Sequence, residues 1–70
     1  MTDNFIERME KEYEELSERC NKLWIFSDSD MFRNMPENKK TLIYTQLRAM
    51  KAYKIALRER IVLEHNERIR

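Results

Sequence analysis

Seventy residues allow one domain at most, and a chain this short buries only a small core. Small scaffolds make up the shortfall with a disulfide, a metal or a partner chain. Cys20 is the only cysteine, so no disulfide closes within the chain, and Cys20 and His65 are the whole supply of soft ligands where structural zinc takes four.

That leaves oligomerisation as the expected source of stability. Glycine is absent and proline occurs once, which disfavours strand-rich folds built on tight turns with positive φ. Charged residues make up 39% of the chain, yet the net charge is +1, unlike that of a strongly basic nucleic-acid binder. The longest apolar run is Leu23-Trp24-Ile25-Phe26, far short of the roughly 20 residues that span a membrane. The acidic N-terminus lacks the apolar stretch of a signal peptide, so a cytoplasmic protein is expected.

The first helix is predicted over about residues 3–26, with Thr2, Asp3 or Asn4 as N-cap. Ile6, Met9, Tyr13, Leu16, Cys20 and Leu23 follow at alternating steps of three and four, an unbroken apolar seam. Glu7–Lys11, Glu15–Arg19 and Glu18–Lys22 are i,i+4 pairs in the favoured order. Ser27-Asp28-Ser29-Asp30 turns the chain. A short helical turn over about 29–35 then carries Met31, Phe32 and Met35, and folds back to plug the hairpin.

Pro36 ends that turn and suits the start of the next helix, predicted over about 36–66. Its apolar stripe is Ile43, Leu47, Met50, Leu57 and Ile61, with Leu42 and Tyr53 alongside and Gln46 and Arg60 at the edges. Two long helices joined by about ten residues pack antiparallel. The fold class is therefore all-α: a helical hairpin with a short intervening turn, packed into an oligomeric helix bundle.

Charge divides between the halves. Residues 1–35 carry five basic and nine acidic side chains, a net of −4; residues 36–70 carry nine and four, a net of +5. Complementarity explains this simply, an acidic helix lying on a basic one within or between chains.

The carboxylates of the first helix sit among Lys and Arg on solvated faces, which suits no acid–base catalyst. His65 near the chain end suits the helix C-terminus, and Cys20 in the seam suits a small buried hydrophobe. No enzyme, metal or cofactor is expected. Lys40, Tyr44, Arg48, Lys51 and Arg58 form a basic stripe that could hold phosphates or meet an acidic neighbouring chain. Arg19, Gln46 and Arg60 border apolar faces, where a guanidinium suits either phosphate or a carboxylate network that sets helix register.

The run Phe32, Met35, Leu42, Ile43, Thr45-Gln46-Leu47-Arg48-Ala49-Met50, Tyr53, Leu57, Arg60 and Ile61 resembles a family of small phage proteins first noted in crAss-like phages. Leu16, Arg19, Lys22, Leu23 and Phe26 fit the same pattern. The resemblance implies a phage origin, hence the host cytoplasm, and a compact helical hairpin. More loosely, in size and plan, the chain is similar to the sponge hairpins of anti-CBASS and anti-Thoeris systems, which sequester nucleotide signals of bacterial immunity.

The function expected is therefore non-catalytic capture of a small anionic nucleotide between the subunits of an oligomeric counter-defence sponge. Such a site needs cations for phosphate, an aromatic for the base and an amide for its edge. Arg19, Lys22, Gln46, Tyr53 and Arg60 are the candidates, followed by Arg48 and Lys51. The alternative is a protein–protein interaction module that blocks a host protein or serves as an adaptor. Trp24, Phe26, Ile55 and Val62, together with Phe5 and Ile69, exceed what one hairpin can cover, and they are the expected homo-oligomer interface.

Overall fold

A computed structural model describes residues 4–69, with side chains over 5–67. The chain forms α1 (Asn4–Phe26), α2 (Asp30–Arg33) and α3 (Glu37–Ile69). Of the N-cap candidates, Thr2 and Asp3 lie outside the described residues, as do the side chains of Asn4 and Ile69, while the backbone of Asn4 is the first helical residue of α1. α3 runs three residues past its expected end at Asn66.

α1 and α3 pack as an antiparallel pair in a rod 52 × 16 × 14 Å. The radius of gyration is 16.1 Å, against about 11 Å for a compact domain of this length. The excess follows from α3, whose 33 residues at a rise of about 1.5 Å each account for the long axis.

The seam of α1 is the one the spacing predicts. Ile6, Met9, Leu16 and Cys20 are buried, and Tyr13 and Leu23 are half-buried. α3 answers with Lys40, Ile43, Leu47, Met50, Lys54, Leu57, Ile61 and Glu64, again at alternating steps of three and four. Leu47 and Leu57 are buried and the others half-buried. Lys54 occupies an apolar position of this series. Its stem lies in the seam while Nζ reaches out to 5.8 Å from the Tyr13 ring centroid. Leu42 and Tyr53, expected beside the stripe, are exposed instead.

The turn works without glycine, and no described residue has positive φ. A helix usually ends on a left-handed residue that lets backbone N–H groups reach its last carbonyls. Here serine side chains contribute: Ser27 Oγ donates to Trp24 O at 2.6 Å, and Ser29 Oγ donates to Phe26 O at 2.7 Å. Ser29 is also the N-cap of α2, with its Oγ accepting from Phe32 N–H at 3.1 Å. Arg33 ties the turn from the other side, bonding Asp30 and the Asp28 carbonyl.

This geometry drives Phe32 inward, where it is 3% exposed. Its ring meets Phe26 edge-on at 6.0 Å and Tyr44 edge-on at 5.3 Å, with Lys40 Nζ 5.9 Å from its centroid. Phe32 is the plug that the sequence suggests. Met35 beside it in sequence is half-buried, whereas Met31 is exposed to solvent.

At the open end His65 Nε2 lies 2.9 Å from Glu10 Oε2, so this histidine bridges the helices instead of serving the α3 terminus. The three i,i+4 pairs expected on α1 are not closed among the described residues. Such exposed pairs contribute little and readily stay apart.

Leu57, at 1% exposed, is the most enclosed side chain described. Leu57→Ala is expected to cost about 2–5 kcal/mol in urea unfolding, while Leu42→Ala, at a 68% exposed site, stays within about 0.5 kcal/mol. Ser29→Ala removes the cap of α2, and a loss of about 1 kcal/mol is expected in the same assay.

Candidate functional site

The shared seam leaves each helix with two flanks, and the candidate residues sort between them. At about 100° per residue, Tyr44, Arg48, Lys51, Ile55, Arg58 and Val62 fall on one side of the α3 seam. Gln46, Tyr53 and Arg60, seven residues apart, fall on the other.

On the Gln46 flank, Arg19, Lys22 and Gln46 come together. They line one hollow of ≈350 Å³ with Leu23, Phe26 and Met50. Arg19 and Lys22 are one turn apart on α1, so their side chains are neighbours on that face. Gln46 enters from α3, and Leu23 and Met50 come from the two facing seams. The hollow thus offers two cations, an amide and an apolar lining with an aromatic ring. No carboxylate lies within ion-pairing distance of Arg19 or Lys22 among the described residues.

Tyr53 and Arg60 do not line this hollow. Along the helix axis they sit about 10 Å and about 21 Å from Gln46.

Lys51 lies on the opposite flank. Its Nζ stands 4.7 Å from the Trp24 ring centroid. With Tyr13, Lys54, Ile55 and Arg58 it lines a second groove of ≈310 Å³. Arg48 belongs to this flank and is exposed. The seven candidate ligand residues therefore do not form one site.

The expected interface residues divide as well. Trp24, Ile55 and Val62 are 57%, 61% and 50% exposed and share the Lys51 flank. Phe26 is two residues from Trp24, about 200° around α1, and turns to the Gln46 flank, where it supports Phe32 and walls the hollow.

Sequence reasoning missed Leu23 and Met50 as lining of the hollow, and Tyr13 and Lys54 as partners across the second groove. Lys54 carried a signal, since it alone interrupts the apolar series between Ile43 and Ile61. The partnership of Arg19 with Gln46 carried none, because it depends on the register of one helix against the other.

Cys20 is enclosed in the seam, so its thiol faces core and not solvent. Among the described residues no three of His, Cys, Asp and Glu stand together as metal ligands, and no helix is long and apolar enough to cross a membrane.

No curated protein and no solved structure matches the chain. A family model described as Sequestin matches residues 3–63, nearly the whole hairpin including α2. The name is that of a sequestering protein and is consistent with a role in binding and not catalysis. By this match the chain belongs to the Sequestin family.

Proposed function

We propose that this hairpin is a phage counter-defence protein that captures a small anionic nucleotide signal and withholds it without chemical change. The observation that carries the reading is the convergence of Arg19, Lys22 and Gln46 on one apolar-lined hollow, in a chain of a family named for sequestration. Arg19 and Lys22 are placed to grip phosphate oxygens together, the guanidinium as a fork and the ammonium as a point charge. Phe26 gives a base a ring to lie against. The Gln46 amide can donate to and accept from a base edge. Sequestration needs affinity alone, so nothing in the hollow has to activate a bond.

A second reading is favoured by exposed apolar side chains. Trp24, Ile25, Ile55 and Leu63 are each more than half exposed, which suits a module that docks on a host protein or joins a phage assembly. The two readings separate on what the purified chain binds by itself.

Thermal-shift and calorimetric titration against cyclic dinucleotides and ADP-ribose derivatives tests the sequestration reading. It predicts saturable binding by one ligand class, weakened about tenfold or more by Arg19→Ala with Lys22→Ala, equivalent to about 1.4 kcal/mol. Both sites are exposed, so the double variant should unfold within about 1 kcal/mol of the wild type. Binding to none of the panel contradicts the reading, as does binding that ignores both substitutions.

A further inference from the structure

The flank opposite the hollow carries exposed apolar side chains that nucleotide capture does not use. Ile55 and Val62 stand seven residues apart on it, with Tyr44 and Arg58 in the same line and Trp24 beside Lys51. Tyr44, Trp24, Ile55 and Val62 are each between 47% and 61% exposed. The repeat of three and four that builds the first seam thus recurs here as a second seam with no partner in the hairpin.

Two observations say what covers it. The first is charge. Near the open end of this flank α1 presents Glu10 and Glu14 and α3 presents Arg58, around a groove of ≈520 Å³ that also holds Val62. Further along, α3 presents Lys51 and Lys54. One flank therefore has an acidic edge on α1 and a basic edge on α3. The second is area. The broad face of the rod, 52 by 16 Å, offers about 800 Å², the contribution of one partner to an ordinary stable interface.

We infer that a second copy of this chain packs on the Trp24–Ile55–Val62 flank, with the two-fold axis parallel to the long axis of the rod. That rotation keeps every residue at its height and exchanges the two helices sideways. The acidic edge of each α1 then lies over the basic edge of the other copy's α3. Glu14 of each copy faces Arg58 of the other, and Ile55, Val62 and Trp24 are enclosed between them. Both turns lie at the same end of the dimer.

The other face-to-face two-fold, perpendicular to the rod, sets α3 on α3. It brings the Lys51–Arg58 line against its own copy, and like charges at close range oppose it. In the favoured arrangement both Arg19–Lys22–Gln46 hollows stay on the outer faces, so the dimer forms with or without ligand. Its failure would leave the sequestration reading standing.

The test is sedimentation of full-length wild type, Arg58→Glu and Glu14→Arg, each alone and the two variants mixed. Wild type is expected at about twice the 8.7 kDa chain mass at micromolar concentration. Each variant alone sets like charges across the interface and sediments as a folded monomer. The equimolar mixture restores Glu–Arg pairing at both positions and returns to dimer. A wild-type monomer at 100 µM overturns the proposal; so do two variants that remain dimeric alone, or a mixture that stays monomeric. Trp24 is the only tryptophan and needs no variant to report. Its emission should shift to the blue as wild-type protein is concentrated through the association range, and an emission independent of concentration overturns the proposal equally.

Discussion

Everything in this molecule depends on how one apolar seam is shared between two helices. Ile6, Met9, Leu16 and Cys20 of α1 press on Leu47 and Leu57 of α3, and Phe32 seals the turn end. Two helices have only this one line of mutual burial. Shared burial removes about 25 cal/mol of cost per Å² of apolar surface, and a single line in a 70-residue chain supplies little of it. The rest of each helix circumference must be solvated, hold a ligand or meet another chain.

The seam also divides the surface into two flanks of different chemistry. One carries two cations with no ion-pair partner among the described residues, an amide and an apolar lining that includes an aromatic ring, a combination that suits an anionic aromatic ligand. The other carries large apolar side chains at a heptad interval between an acidic and a basic edge, which is what a second helical layer requires. The same alternation of three and four residues that locks the hairpin keeps these flanks apart, because α-helical geometry gives each residue a fixed direction. Phe26 and Trp24 show this: two positions apart, they serve opposite sides of the rod.

Much of the fold could be read from the residues. The α1 seam has no interruption, the serine–aspartate run has no other use, and Pro36 marks where one helix cannot continue. The α3 face was harder, because apolar residues occur around its whole circumference and Lys54 stands in the seam itself. Lysine there reads as solvent-facing until Tyr13 is seen across from it, its ring 5.8 Å from the ammonium. The candidate site was legible only in parts. Arg19 and Lys22 could be paired from their spacing on one helix, but joining Gln46 to them required the interhelix register. That register is set by the Ser29 cap and by the three-ring contact around Phe32, neither of which helical periodicity reveals. Tyr53 and Arg60 share the line of Gln46, yet the rise of the helix places both outside the lining of the hollow.

The central claim is capture without conversion, and recovery of the ligand tests it most directly. A nucleotide that binds is incubated with excess protein, unbound material is filtered away, and the protein is then denatured by heat. The account predicts that the retained nucleotide comes back chemically unchanged in nearly the amount bound, as chromatography and mass spectrometry read it. A hydrolysed or rearranged product accumulating beyond one equivalent per chain would contradict it.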